Sequence, residues 1–138
     1  MTQTILCIED NPDNSLLIKR VIESLGYKYF GAPDGITGIS MAEEMKPDLI
    51  LLDINLPDID GYEVAERLRT SSESWLALVP IIAVTANALK GDAEKALAAG
   101  CDVYMSKPIN IHELWERVEA ILGSSENISK RTVQSREA

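Results

Sequence analysis

The chain reads as an α/β protein, an open sheet of parallel strands alternating with helices. Short apolar runs rich in Ile, Leu and Val (TILCI, LILL, IIAV) are too continuous for strands with one wet face, so they suit parallel strands covered on both sides. Between them lie stretches with apolar residues at helical spacing, the alternation expected of βαβ units. A third observation concerns position. Glu9-Asp10, Asp53, Thr85 and Lys107 each fall just beyond such a run, and a parallel sheet gathers them at its carboxyl edge, where open α/β sheets build their sites.

The elements follow in order. A first strand is expected over about Thr4 to Glu9. Asn11 suits a helix N-cap with Pro12 at the first helical position; Leu16, Leu17, Val21, Ile22 and Leu25 supply an apolar face, and Gly26 ends the helix. A second strand near Tyr27 to Ala32 leads through the turn Pro33-Asp34-Gly35 into a helix carrying Ile36, Ile39, Met41, Ala42 and Met45, closed by Lys46-Pro47. The third strand runs from Asp48 to Asp53. A loop with Pro57 and Gly61 precedes a helix from about Tyr62 to Thr70, and Ser71 to Ser74 is read as a loop that also takes in Trp75.

Pro80 introduces the strand IIAVT, and a helix over about Lys90 to Ala99 stops at Gly100. The last strand is short, Asp102 to Ser106. After Pro108, Asn110 and Glu113 stand three apart as in a capping box, opening a helix with Ile111, Leu114, Trp115, Val118, Ile121 and Leu122 on its inner face. Met41, Met45 and Met105 read as core filler. Residues 1–122 thus make one domain, and the polar stretch 123–138, without a helical stripe, is expected to be a disordered tail or the start of a linker.

Composition narrows the function. A chain of 138 residues with 46% hydrophobic content suits one compact domain. The net charge is −9, and residues 1–122 carry 20 acidic against 10 basic side chains. Phosphate neutralisation needs clustered Lys and Arg, so neither nucleic acid nor an anionic membrane is an expected partner. Cys7 lies inside a strand and Cys101 after Gly100, neither with a CxxC or His neighbour, so both are expected to be buried free thiols. The amino terminus has no cationic region followed by an apolar one, and no run of about 18 apolar residues occurs, so a soluble cytoplasmic protein is expected.

Glu9, Asp10 and Asp53 end two strands expected to be adjacent, which places three carboxylates in one small volume. Like charges at that range raise each other's pKa and oppose folding unless a cation joins them. Mg²⁺ suits an all-oxygen inventory, and no His or Cys lies nearby to favour zinc. The bland alternative is that Glu9 and Asp10 are solvated residues before a helix N-terminus, where negative charge is favourable. Lys107, preceding Pro108 at the same edge, adds a cation able to hold a phosphoryl oxygen, and Thr85 with small Ala86 beside it adds a hydroxyl. Together these groups describe a phosphoryl-transfer site in which one carboxylate is the nucleophile.

These motifs, Glu9-Asp10 in IEDN, Asp53 in LLDINLPDIDGYE, Thr85-Ala86 in VTANA and Lys107-Pro108 in SKPI, resemble those of the receiver domains of bacterial two-component response regulators. The match spans residues 4–122. The resemblance implies a flavodoxin-like (βα)5 fold with strand order 2-1-3-4-5. It implies that Asp53 accepts a phosphoryl group from a histidine kinase or phosphotransfer protein. Asp10, Asp53 and the backbone carbonyl of Asn55 are implied to ligate Mg²⁺ directly and Glu9 through water, while Lys107 and Thr85 bind phosphoryl oxygens. Thr85 and Tyr104 are implied to be the switch residues, and the Lys107-Pro108 bond to be cis. Asn55 and Asn87 occupy the positions that tune the phosphoryl lifetime in this family.

Because the chain stops soon after its fifth helix, output is expected to leave through a surface, by family analogy the fourth helix, fifth strand and fifth helix, about Leu89 to Leu122. The protein is expected as a monomer or a phosphorylation-dependent dimer that meets a downstream protein. Its most similar members are the stand-alone cell-division and phosphorelay receivers. Within the family the chain could be an effector or a relay that passes phosphate to another histidine; His112, on the last helix, is read as a surface residue and not a carrier. A rival from another class is a phosphohydrolase of the haloacid-dehalogenase type. That class needs an acid two positions after the nucleophile, where this chain has Asn55. A nucleotide-binding reading of LILLD fails because no GxxxxGK[ST] loop is present.

Overall fold

The computed structural model describes residues 2–86 and 91–123. Strands β1 (Thr4–Ile8), β2 (Lys28–Ala32), β3 (Leu49–Asp53), β4 (Ile81–Thr85) and β5 (Val103–Ser106) form one parallel sheet in the order β2-β1-β3-β4-β5, the flavodoxin-like arrangement expected. The helices are α1 (Pro12–Ser24), α2 (Gly35–Met45), α3 (Gly61–Arg69), α4 (Ser74–Leu78), α5 (Asp92–Ala99) and α6 (Ile111–Val118), the last continued by a π-helical turn, Glu119–Gly123. The chain passes from β1 outward to β2 and then crosses to β3 on the other side of β1. The connections diverge there, which opens a crevice at the carboxyl ends of β1 and β3.

Alternation along the central strands sorts the core into two layers. Ile5, Cys7, Leu49, Leu51 and Ile82 pack with Ile18 and Ile22 of α1 and Leu114 and Val118 of α6. Leu6, Ile8, Ile50, Leu52, Ile81 and Ala83 pack on the opposite face with residues of α2, α3, α4 and α5. All residues of β3 and β4 are buried, as double coverage requires, while the edge strands β2 and β5 are partly exposed. Cys7 and Cys101 are buried free thiols, and burial pushes both well above the ordinary thiol range.

The helix boundaries follow from side-chain caps. Asn11 Oδ1 accepts from the N–H groups of Asp13 and Asn14 at 2.9 and 3.1 Å, and Asn110 Oδ1 accepts from that of Glu113 at 2.9 Å. Asp34 caps α2 in the same way through Thr37 N–H at 2.8 Å.

Several sequence expectations are corrected. Trp75 is not in a loop: it lies in α4, which seats Leu76 in the core and rests Trp75 against it, with Lys46 Nζ 5.4 Å from the ring centroid. Leu16, Ile111 and Trp115, expected on apolar faces of their helices, are exposed, as is Ile36. For α6 the reason is angular: Leu114, Val118 and Leu122 form the seam, and at about 100° per residue Ile111 and Trp115 fall on its shoulder. Asn87 to Lys90, where the fourth expected helix was to begin, and residues 124–138 of the expected 123–138 tail lie outside the described residues; Gly123, expected to open that tail, is buried at the end of the π-helical turn. Among the described residues no helix is long and apolar enough to cross a membrane.

Arg69, at the end of α3, ties together segments distant in sequence. Its guanidinium donates to the carbonyls of Gly100 (2.7 Å), Ala77 (3.2 Å) and Val79 (2.6 Å) and to Asp102 Oδ2 (2.8 Å). Asp102 in turn accepts from Ile81 N–H at 2.8 Å, which pins the start of β4. Gly100 sits at φ +113°, and a Cβ there would fall 2.5 Å from Arg69 Cγ, so the arginine stem needs a glycine beneath it. Removing the fork leaves several half-buried acceptors unpaired. Arg69→Ala is therefore expected to lower the unfolding free energy by about 2–3 kcal/mol in urea titration, with Arg69→Lys recovering less than half of the loss.

Candidate functional site at the carboxyl edge

The site begins where β1 and β3 end. Ile8 pairs with Leu52, so the next residues, Glu9 and Asp53, emerge side by side. Counting by twos, Glu9 continues Ile5 and Cys7, and Asp53 continues Leu49 and Leu51, on the sheet face covered by α1 and α6. One oxygen each from Glu9, Asp10 and Asp53 lie within 4.8 Å of one another. Glu9 is 4% exposed and Asp53 2%, which rules out the reading of Glu9 as a solvated loop residue; Asp10 is exposed.

Compensation for this charge is specific but incomplete. Lys107 Nζ stands 3.0 Å from Asp53 Oδ2 and 3.8 Å from Glu9 Oε1. Asn55 N–H donates to Asp53 Oδ1 at 3.0 Å, and Asn11 N–H to Glu9 Oε2 at 3.1 Å. Among the described residues the two buried carboxylates share one ammonium, and the exposed Asp10 adds a third negative charge beside them. Burial is the main reason that the Glu9 carboxyl is pushed up to about 7; the Asn11 N–H opposes the rise, the Asp53 charge adds to it, and Lys107 opposes it.

The remaining expected residues occupy the adjoining strand ends. Lys107 N–H donates to the Thr85 carbonyl at 2.8 Å, and the Lys107-Pro108 peptide is cis. Thr85 is fully buried, and its hydroxyl donates to Asp92 Oδ2 at 2.9 Å. Ala86 is exposed in the bend that follows. Tyr104 stands on the edge strand β5, 39% exposed, in register with Ala83. His112 is exposed in the first turn of α6. The structure thus gathers Glu9, Asp10, Asp53, Asn55 and Lys107 into one cluster, with Thr85 joined to it through the backbone of Lys107.

Three contributors escaped the sequence reading. Asp92 holds the Thr85 hydroxyl across seven residues of sequence, and a first-turn acid on a helix carries no signal of such a partner. Asp58 accepts from Gly35 N–H and Ile36 N–H, both at 2.8 Å, tethering the loop after Asp53 to the start of α2. Gly61, noted only as a loop residue, donates its N–H to the Ile54 carbonyl at 2.8 Å, and a Cβ on it would come within 2.6 Å of the Asp53 carbonyl oxygen. Only glycine lets α3 start this close to the strand end.

Comparison with known proteins agrees with this geometry. Residues 5–119 match the family model of the response regulator receiver domain. The chain is 40% identical to the polar-differentiation response regulator DivK of Brucella ovis over 125 residues, covering 91% of this chain and all of that one. Among solved structures, the receiver domain of a sensor histidine kinase from Pseudomonas aeruginosa, with a magnesium ion coordinated in its active-site cleft, is 41% identical at a TM-score of 0.81, covering 90% of this chain and all of that one. The Vibrio cholerae chemotaxis regulator CheY4 shares the fold at a TM-score of 0.81 with 22% identity, covering 88% of this chain and all of that one. The family match decides against the phosphohydrolase alternative.

The raised Glu9 pKa has a signed consequence for the metal-free protein. Its folded value of about 7 lies above the ordinary 4.5, so the folded state holds this proton more tightly than the unfolded chain. The stability this supplies is complete below 4.5 and is lost as pH rises through about 7. In chelator-containing buffer, the urea midpoint of the wild type is expected to fall between pH 5 and pH 8, and Glu9→Gln to flatten that slope.

Proposed function

The chain belongs to the response regulator receiver domain family, and on that premise we propose that it is a phosphoacceptor switch. Asp53 takes a phosphoryl group from a histidine kinase or phosphotransfer protein, and the change is read by a downstream protein at the surface formed by α5, β5 and α6. The observation that carries this reading is the Asp53 carboxylate, nearly dry, held between the Lys107 ammonium and the Asn55 N–H at the edge of an acidic cluster. A carboxylate fixed and desolvated in this way is preorganised as a nucleophile.

In the transfer, an Asp53 carboxylate oxygen forms a bond to phosphorus as the phosphorus–nitrogen bond of the donor phosphohistidine breaks. The departing imidazole nitrogen keeps the electron pair and takes a proton. The product is an aspartyl phosphate. Lys107 turns its ammonium from Asp53 to a phosphoryl oxygen, and the Thr85 hydroxyl and Ala86 N–H supply further donors at the end of β4. Hydrolysis reverses the gain: water attacks phosphorus as the bond between phosphorus and the Asp53 oxygen breaks, which releases inorganic phosphate and restores the carboxylate, with Asn55 beside the path. The protein promotes both steps with its own groups, as a signalling switch and not as an enzyme acting on a separate substrate.

The donor set fits Mg²⁺, because three clustered carboxylates carry more negative charge than Lys107 offsets and all the ligands are oxygen. Asp10, Asp53 and the Asn55 carbonyl are the proposed direct ligands, with Glu9 acting through water. When bound there, the ion supplies charge neutralisation for the phosphoryl oxygens. The acidic body agrees with a protein partner rather than nucleic acid, and the buried free thiols agree with the cytoplasm.

A second reading, a relay that passes phosphate onward to another protein's histidine, draws on the 41% identity to a receiver domain of a sensor histidine kinase. Transfer from the labelled protein to a histidine phosphotransfer domain would separate the two.

Incubation with acetyl phosphate and Mg²⁺, followed by intact mass and Phos-tag electrophoresis, is expected to show one alkali-labile phosphate on the wild type and none on Asp53→Asn. Lys107→Ala is expected to accept some phosphate without changing partner binding. Stoichiometric labelling of Asp53→Asn would contradict the assignment.

A further inference from the structure

Thr85 ends β4 on the opposite sheet face from Asp53. Ala83 and Ile81, two and four residues earlier, pack in the layer that includes α3 and α5, and the Thr85 side chain continues that row. There its hydroxyl donates to Asp92 Oδ2 at 2.9 Å. Asp92 is the first residue of α5, and its backbone carbonyl also accepts from Tyr62 Oη at 3.5 Å. The bond is half-buried, and it joins a charged acceptor to a fully buried hydroxyl. Such bonds are about twice as strong as those between neutral groups.

A hydroxyl has one proton to donate. Spent on Asp92, that proton is not available to a phosphoryl oxygen on Asp53. We infer that Asp92 is a latch: its carboxylate holds the Thr85 hydroxyl on the α5 side of the sheet and sets how much of the phosphoryl group's binding is used to pull it away. This inference rests on the phosphoacceptor reading and adds to it a residue that regulates the site. It also gives the signal a physical route, because the atom that must be released at the site is held by the first turn of α5. Phosphorylation breaks the Thr85–Asp92 bond, and α5 loses a tether to the sheet.

The latch predicts a particular non-additivity. Removing the Asp92 charge also lowers repulsion toward a phosphoryl group through space, but that effect does not need Thr85. The probe is beryllofluoride with Mg²⁺, titrated calorimetrically into wild type, Asp92→Ala, Asp92→Asn, Thr85→Ala and the Thr85→Ala/Asp92→Ala double variant. Asp92→Ala is expected to tighten binding about tenfold, the equivalent of one charge-assisted hydrogen bond no longer broken. Asp92→Asn, which keeps the shape and an oxygen acceptor without the charge, is expected to fall between it and wild type. In the Thr85→Ala background the same Asp92 change is expected to matter less than about twofold.

An equal gain in both backgrounds would overturn the latch and leave only a through-space charge. Unchanged affinity in Asp92→Asn and Asp92→Ala would also overturn it, with the phosphoacceptor reading intact as long as the wild type binds the probe. A wild type that neither binds beryllofluoride nor takes phosphate from acetyl phosphate would overturn both.

Discussion

The Asp53–Lys107–Glu9 triangle is the interaction on which the rest of the site depends. Two nearly dry carboxylates and one ammonium occupy the ends of β1, β3 and β5, with Lys107 Nζ 3.0 Å from one and 3.8 Å from the other. Unit charges about 4 Å apart interact by about 4 kcal/mol at an effective dielectric constant near 20. Two attractions and one repulsion of similar size leave one net attraction to set against the desolvation of three ions, which costs several kcal/mol for each. Asp10 adds a fourth charge of the wrong sign. The cluster is a site of stored electrostatic cost, which a divalent cation and then a phosphoryl group on Asp53 would redistribute.

The rest of the fold serves to hold that cost in place. Only a strand buried on both faces can carry an acid into a dry environment at its end, and β1 and β3 are such strands, locked in register by Ile8 opposite Leu52. Gly61 allows the next helix to start against the backbone of Asp53, and Asp58 fastens the intervening loop to α2. On the far side, Arg69 gathers α3, α4, β4 and β5 into one unit. Rigidity at the carboxylates and the breakable Thr85–Asp92 bond are complementary: the first fixes the chemistry, the second gives it something to move.

Much of this was legible in the sequence, for identifiable reasons. The gathering of Glu9, Asp53, Thr85 and Lys107 at one edge follows from apolar runs that each end in a polar residue, because parallel strands carry all their carboxyl ends to one side; the strand order is implied by the resemblance of the motifs to a family. Helix starts at Asn11 and Asn110 were legible because a cap is a local interaction. What escaped depends on contacts between distant segments. Asp92 and Asp58 look like ordinary acidic residues until the fold brings Thr85 and Gly35 beside them. Trp115 and Ile111 match the helical period yet lie on its shoulder, since periodicity gives a stripe and not its width. The short helix holding Trp75 was missed because five residues are too few to show a period.

The excess of negative charge at Glu9, Asp10 and Asp53 over what Lys107 offsets is read from the urea midpoint against Mg²⁺ concentration at pH 8 for wild type and Asp53→Asn. The wild type is expected to gain stability logarithmically with Mg²⁺, by about 1.4 kcal/mol at ten times the dissociation constant, and Asp53→Asn to gain less. A wild-type midpoint that does not move with Mg²⁺, or that moves equally in Asp53→Asn, would contradict that excess.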